Sequence, residues 1–212
     1  MEASSTPVAG KNRVRAVVAL RLLETLRDQD IPQELMEDED PTVTMPRRLG
    51  LSDVVERQIR SYRADVKRGH RLSDDEIGDL FRLVLRRPDG EDIFFEAGRV
   101  LAGGKNGRSL SRVLPRRVMY AVARRRVAGV LRKLFGRRVG AFARGGFVIE
   151  GRSLLFIESD PGGDACFLLA GLAQGVLELT AGRAAKVTHT RCQSRGHDLC
   201  RWEGIVDDSV EA

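Results

Sequence analysis

The chain has few of the residues that mark small secreted domains. Among its 212 residues are three cysteines, one tryptophan and two tyrosines, and aromatic residues make up only 5%. Three cysteines do not support a disulfide-dense scaffold, and a chain of this length buries a sufficient core without one. These shortages favour a globular protein whose cysteines are thiols or metal ligands.

No segment is predicted to cross a membrane or to direct secretion. Residues 1–11 contain no apolar stretch of the kind found in signal peptides. The longest apolar run, Ala165–Ala181, has 17 residues and contains Gln174 and Glu178, which is typical of a buried core helix. We therefore predict a cytoplasmic protein.

Acidic residues are missing from a long internal stretch. Residues 97–149 contain 14 lysines and arginines and no aspartate or glutamate, although the whole chain has a net charge of only +6. The block fits an anionic partner, such as nucleic acid, a membrane surface or an acidic protein. It also fits a solvated helix face that pairs with acidic parts of the same chain, including Glu37–Asp40, and this alternative is favoured because no helix-turn-helix pattern and few aromatics accompany the block. The candidate partner surface comprises Arg116, Arg117, Arg124, Arg125, Arg126, Arg132 and Lys133.

Catalytic signatures are also missing from the sequence. The glycine-rich stretch 103–107 lacks the preceding strand and the Lys-Ser/Thr order of a phosphate-binding loop, and there is no dinucleotide fingerprint. None of the three histidines, His70, His189 and His197, accompanies a serine in a nucleophile elbow. The sequence therefore leans away from an enzyme without deciding the question.

Hydrophobic periodicity predicts helices first and strands mainly in the last third of the chain. Segregated elements of this kind predict an α+β fold. Helices are predicted at Val14–Leu26, from Ser52 to Val66, after a capping box of Ser73 and Glu76, around Ile93–Leu101, and at Pro115–Phe135. Strands are predicted at Phe147–Glu150 and Ser153–Ile157, joined by a turn at Glu150–Arg152, and at Lys186–Thr190 and Leu199–Val206, with an apolar helix capped by Asp164 between the two pairs.

All three cysteines lie in the last 47 residues, where their spacing fits a metal site. Cys166 opens the apolar helix, whose first turn favours a thiolate, and Cys192 and Cys200 flank the last hairpin loop. His189 precedes Cys192 by three positions, and three cysteines with one histidine are a common ligand set of structural zinc. The spacing alone also fits buried apolar cysteines or a disulfide between Cys192 and Cys200.

Two segments around these cysteines resemble one known family. In Ala165–Gly175 a cysteine enters a glycine-containing apolar helix, and in Thr190–Trp202 a second cysteine is followed eight positions later by a third, after a Gly-His-Asp turn. This arrangement is similar to that of the 4-vinyl reductase domain, which occurs in bacterial and archaeal proteins and in the sensor modules of aromatic-responsive transcription activators. The resemblance is clear over about Val139–Val206.

The resemblance implies a zinc ion bound by Cys166, His189, Cys192 and Cys200. The family usually has glutamate where this chain has His189, but histidine is an equally competent zinc ligand. His197, in the hairpin loop, is the alternative fourth ligand. Four protein ligands leave no open position on zinc, so the expected role is structural.

The resemblance also implies a fold and a domain organisation. It predicts N-terminal helices packed with an antiparallel sheet, as in the ligand-binding fold of NO-signalling and Golgi-transport proteins. We expect a disordered start, one helix and an acidic linker at 1–50, a helical region at 51–138, and a zinc-binding region at 139–206 that forms one compact domain with the helical region.

Three functions are compatible with the residues and the resemblance. The first is a sensor or binding module for a small hydrocarbon-like molecule, working as a homodimer or with a signalling partner. The second is a reductase-like enzyme or accessory acting on a tetrapyrrole vinyl group, which the missing nucleotide fingerprint argues against. The third is an interaction scaffold that uses the basic helix. The pocket residues predicted for the first function, each equally an ordinary core residue, are Phe142, Phe147, Ile149, Phe156, Phe167, Leu168 and Trp202.

Overall fold

Helices dominate the first part of the chain and strands the last part. The computed structural model describes residues 13–30, 53–103, 115–136, 141–143, 146–152 and 160–207. Its strands pair only antiparallel among these residues, so the predicted α+β class is confirmed. The elements are β1 (Val14–Arg15), α1 (Ala16–Asp30), α2 (Asp53–Arg68), β2 (Arg71–Leu72), α3 (Asp74–Leu85), α4 (Gly90–Leu101), α5 (Arg116–Phe135), β3 (Ala141–Phe142), β4 (Phe147–Gly151), a 3-10 turn (Asp164–Cys166), α6 (Phe167–Ala181), β5 (Ala185–Arg191) and β6 (Cys200–Val206).

Local sequence signals explain where the helices begin and end. Before α3, the Ser73 hydroxyl accepts a hydrogen bond from the Glu76 backbone N–H at 3.1 Å, and the Glu76 carboxylate accepts one from the Ser73 N–H at 2.7 Å. This confirms the predicted capping box. The basic helix α5 ends at Gly136, whose φ of +65° is a left-handed conformation that glycine adopts without steric cost.

The N-terminal helix α1 shares the core of the C-terminal region. Val18, Leu22 and Leu23 are fully buried, and α1 packs against α2 and α4. The predicted disordered start and the acidic linker lie outside the described residues. The predicted domain boundaries at 50 and 138 therefore stay predictions.

A four-stranded antiparallel sheet of order β3-β4-β6-β5 carries the C-terminal hairpin. Strand alternation directs Cys200 and Trp202 of β6 into the core and leaves Ile205 exposed. In β5, Val187 is buried and His189 follows it on the same face of the sheet. The core face of this hairpin therefore carries two of the predicted metal ligands.

Helix α6 lies between the sheet and α4. It packs on β5 and β6, and it is buried along most of its length. Its approach to α4 is so close that a Cβ at Gly171 would overlap the Phe95 carbonyl oxygen, and a Cβ at Gly98 of α4 would overlap the Leu168 carbonyl oxygen. Glycine at these positions brings the two helix backbones into contact.

The segment Asp164–Ala181 is long and apolar enough to cross a membrane by length and composition, with a mean hydropathy of 1.3. In the fold, 72% of it is buried, and its glycines contact α4. It is the predicted core helix of this fold. Cytoplasmic localisation stays a prediction.

One predicted turn is wrong. Glu150 and Gly151 do not turn the chain, because both continue β4 and pair with Arg201 and Cys200 of β6. β4 also pairs with β3, which precedes it in the chain, a partner that the sequence did not predict. The predicted strand Ser153–Ile157 lies outside the described residues.

Candidate metal centre

The four predicted ligands come from three elements that meet at one end of α6. Cys166 ends the 3-10 turn that leads into α6, His189 lies in β5, Cys192 follows β5, and Cys200 begins β6. Their ligand atoms all lie within 4.8 Å of one another, and the three cysteines are buried. The residues that sequence spacing and resemblance select thus form one cluster.

Asp160 holds the turn that carries Cys166. This carboxylate is 1% exposed and accepts hydrogen bonds from the backbone N–H groups of Gly163 at 2.8 Å and Ala165 at 2.7 Å. The sequence predicts Asp164 as the helix cap, which is wrong, because the N-cap residue is Gly163 for the 3-10 turn and Cys166 for α6. The Asp160 carboxylate satisfies the free donors instead.

The hairpin loop folds back on the Cys192 carbonyl oxygen. This oxygen accepts hydrogen bonds from the N–H groups of Arg195 at 3.2 Å and His197 at 3.1 Å. On the other side of the loop, the Gln193 N–H donates to the Cys200 sulfur at 3.3 Å. These bonds bring Cys192 and Cys200 together and place a donor on a sulfur, which stabilises its thiolate form.

The spacing of the sulfurs fits a tetrahedral ion. The Cys166 and Cys200 Sγ atoms are 3.8 Å apart. Two thiolates at about 2.3 Å from a tetrahedral zinc are separated by about 3.8 Å. The distance is far longer than the bond of a disulfide, which is about 2.0 Å. The pair is therefore arranged as two metal ligands would be.

The two sulfurs differ in their affinity for a proton. The pKa of Cys200 is lowered to about 4, chiefly because the Cys166 thiol donates a hydrogen bond to it, with a further contribution from His189. The pKa of Cys166 is raised, first by the same hydrogen bond and then by burial. A zinc ion bound by both sulfurs would deprotonate Cys166 as well, because cysteine binds zinc as the thiolate.

His189 is held by aromatic contacts and has an unsatisfied nitrogen. Its ring stacks on Trp202, with centroids 5.1 Å apart and planes 15° from parallel, and meets the edge of Phe167 at 6.0 Å. The Trp202 indole N–H donates to the Cys166 carbonyl oxygen at 3.2 Å. The Nε2 of His189 is buried without a hydrogen-bond partner. Such an orphaned buried nitrogen is costly, and a metal ion bound by the cluster would relieve that cost.

His197 lies outside the cluster. Its Nδ1 is 3.1 Å from the Cys192 carbonyl oxygen and 3.4 Å from the Cys192 backbone nitrogen. The ring supports the backbone of the loop. Geometry therefore favours His189 over His197 as the fourth ligand.

Arg195 connects the loop between Cys192 and Cys200 to two other segments, and the sequence does not reveal this role. Its Nε donates to the Gly162 carbonyl oxygen at 2.7 Å. Its guanidinium also pairs with Glu91 of α4 at 3.3 Å and with Asp164 at 3.6 Å. An arginine in a polar loop has no local pattern that indicates such contacts.

The predicted pocket residues are distributed over several environments. Ile149, Leu168 and Trp202 are buried in the core, Phe142 and Phe167 are half-buried, and Phe156 lies outside the described residues. Phe147 lines an open groove of about 470 Å³ at the start of α5, here called the α5–β6 groove. Its lining residues are Arg116, Arg117, Tyr120, Gly146, Phe147, Val148, Glu203, Gly204 and Ile205.

The basic helix uses some of its arginines inside the fold. Arg124 donates to the carbonyl oxygens of Ala143 and Gly146, and Arg126 donates to the Thr180 hydroxyl at 3.2 Å. Arg116 stacks over the Tyr120 ring, 5.6 Å from its centroid. The other members of the candidate surface are exposed, and none forms an ion pair among the described residues; they are Arg117, Arg125, Arg132 and Lys133.

We compared the chain with known families, curated proteins and solved structures. Neither a protein-family model, nor a curated protein, nor a solved structure gives a significant match to this chain.

Proposed function

We propose that this chain is a zinc-stabilised module that binds a small apolar molecule. The convergence of Cys166, His189, Cys192 and Cys200, with ligand atoms within 4.8 Å of one another, carries the proposal. Thiolate and imidazole ligands suit zinc and do not suit calcium or magnesium. Four protein ligands saturate a tetrahedral ion, so the zinc would be structural.

The zinc would join the start of α6 to the β5–β6 hairpin. Only Cys166 lies on the helix side, whereas the other three ligands belong to the hairpin and its loop. The direct hydrogen bond from Trp202 to the Cys166 carbonyl oxygen links the same two parts. The ion would therefore fix the sheet against its covering helix.

The binding function follows from the resemblance to the 4-vinyl reductase domain, and the α5–β6 groove supports it. Tyr120 and Phe147, whose ring centroids are 6.2 Å apart, lie buried beneath the groove and form its aromatic floor. Ile205, which is 60% exposed, lines the same groove. A volume of about 470 Å³ lies in the range of small-molecule sites.

Toluene is a suitable probe of this proposal. We expect toluene added to the zinc-loaded protein to shift NMR resonances of residues in the α5–β6 groove. Ile205→Glu introduces a charge into the groove and should weaken binding at least about fivefold, because bound toluene would remove water from that carboxylate without replacing its hydrogen bonds. Leu83→Glu, at a residue of α3 that is 44% exposed, is the matched control.

Two results would count against the proposal. One is the absence of any toluene-induced shift in the groove residues at saturating probe. The other is an equal loss of affinity in the Ile205→Glu and Leu83→Glu proteins, which would show that the groove is not the site.

The exposed basic face of α5 favours a second candidate function, that of an interaction surface for an acidic partner. Arg117, Arg125 and Arg132 are exposed and follow one another at intervals of eight and seven residues, about two helical turns each. They therefore lie on one side of the helix. Nucleic acid and membrane surfaces remain the less favoured partners.

A further inference from the structure

A second groove opens between the N-terminal helix α1 and the ends of α2, α4 and α5. Its volume is about 420 Å³, and here it is called the α1–α5 groove. Its lining residues are Arg15, Ala16, Val17, Arg21, Val66, Gly69, His70, Val100, Leu101, Ala102, Gly103, Val130, Lys133 and Leu134. No predicted metal ligand or pocket residue is among them.

The lining combines apolar and cationic side chains. Val66, Val100, Val130 and other aliphatic residues provide the apolar part, and Val100 is 41% exposed. Within the part of the chain that the structure describes, the charged lining residues are all basic, and no aspartate or glutamate lines this groove. The lining therefore has an affinity for both an apolar group and a negative charge.

The positive charge in the groove is only partly compensated. Arg21 forms an ion pair with Glu24 at 2.7 Å, and Glu24 is shared with Arg63. Arg15 and Lys133 form no ion pair among the described residues. Arg15 also lies directly opposite Arg71 in the β1–β2 pair, and like charges at such positions destabilise the pairing.

The helix dipole explains a cation near the C-terminal end of a helix, but it explains only one of the cations in this groove. Lys133 lies in the last turn of α5, where a positive charge is favourable because of the helix dipole. Arg15 precedes α1 and Arg21 lies in its first half, so neither gains from a helix C-terminus. The presence of cations from three separate elements, β1, α1 and α5, in one groove needs another source of stability.

We infer that the α1–α5 groove binds an amphipathic carboxylate, a negatively charged head on an apolar chain. The carboxylate would lie between Arg15 and Lys133, and the chain would cover the exposed aliphatic residues. Guanidinium groups suit this head, because their paired donors match the two carboxylate oxygens. The inference is independent of the proposed zinc and of the α5–β6 groove.

Decanoate, 1-decanol and inorganic phosphate test separately whether binding needs the negative charge and whether it needs the apolar chain. In calorimetric titrations of the full chain, we expect decanoate to bind with one site per chain. Decanol should bind at least about tenfold more weakly, because it lacks the charge, and inorganic phosphate should not bind at millimolar concentration, because it lacks the chain. Equal binding of decanoate and decanol, or of decanoate and phosphate, would overturn the inference.

Substitutions then locate the site. Arg15→Gln and Lys133→Gln should each weaken decanoate binding roughly fivefold, the upper end of the contribution of an exposed ion pair. Arg125→Gln, on the exposed face of α5, and Arg117→Gln, in the α5–β6 groove, should leave the affinity unchanged. Lys133 is exposed, so its variant stays informative even if Arg15→Gln fails to fold. A loss with Arg117→Gln but not with Lys133→Gln would assign decanoate to the other groove and contradict the inference.

Discussion

At the scale of single residues, Gly163 leaves the least room for change at the metal centre. Its φ is +84°, and a Cβ built on it would lie 2.5 Å from the Cys192 sulfur. A side chain there would be strained by its backbone and would also displace a ligand. Two independent constraints therefore act on one glycine.

Gly163→Ala should be much more harmful than Gly196→Ala. Gly196 has a φ of +90° but no heavy atom within 4 Å of a built Cβ, so its substitution costs only backbone strain, about 1 to 2 kcal/mol. Gly163→Ala adds the collision with Cys192 and should cost at least about 3 kcal/mol. Urea unfolding of both variants, each with its zinc content measured, checks this.

Equal losses of stability in the two proteins, with zinc retained in both, would show that the Cys192 sulfur does not lie against Gly163.

The members of the Cys166–His189–Cys192–Cys200 cluster could be predicted from the sequence, whereas the residues that orient them could not. Cysteine is rare in this chain and all three lie near its C-terminus, so their chemistry is visible in the sequence. Asp160 and Arg195 are ordinary polar residues of turns. Arg195 acquires its role from Glu91, which lies 104 positions away in the chain. Contacts of that kind arise only when the helices have packed.

At the scale of elements, the contact between α4 and α6 depends on glycine. A Cβ at Gly171 would overlap the Phe95 carbonyl oxygen, which belongs to a helix backbone and cannot move alone. A Cβ at Gly175 would meet the Ala102 side chain at 2.7 Å. The separation of these helices also sets where Cys166 enters the metal centre.

Gly171→Ala should destabilise the protein by about 2 kcal/mol or more, because the helices must separate. Gly129→Ala is the matched control, since Gly129 is also inside a helix but has no heavy atom within 4 Å of a built Cβ. That change should stabilise by about 0.5 to 1 kcal/mol, because alanine favours the helix. Urea denaturation gives both values, and a stable Gly171→Ala protein would show that α4 and α6 are farther apart.

Helices were more predictable than strand partners. The apolar positions of α3, including Ile77, Phe81 and Val84, recur at helical spacing, and all three are fully buried. The pairing of β4 with β6 joins residues about fifty positions apart, and no local pattern encodes it. The predicted turn at Glu150–Arg152 failed for this reason, because a distant strand extends β4 past Glu150.

At the scale of the whole molecule, the metal would stabilise a region rather than the entire chain. The core includes Val18 of α1 and Phe81 of α3, which lie far from the candidate ligands in sequence, so much of the apolar burial does not involve the metal. The hairpin loop, by contrast, contains mainly polar residues between Cys192 and Cys200. Loss of the metal should therefore loosen the C-terminal hairpin first.

Removal of metal with a chelator should lower the Tm by about 10 °C, as expected for a ligand that stabilises by several kcal/mol in a chain of this size. Hydrogen exchange should accelerate most in β5, β6 and residues 160–166, and least in α1 and α3. Differential scanning calorimetry and exchange mass spectrometry measure the two effects. An unchanged Tm in protein shown to be free of metal would contradict a structural role.

The most direct test of the zinc centre is the metal content of the purified chain, measured by native mass spectrometry and elemental analysis. The wild-type protein should contain about one zinc per chain. Cys192→Ser and His189→Ala should lose most of it, and His197→Ala should retain it, because His197 contacts only the backbone of Cys192 among the cluster residues. Full zinc occupancy in the Cys192→Ser protein, or its loss in His197→Ala but not in His189→Ala, would contradict the four-ligand centre.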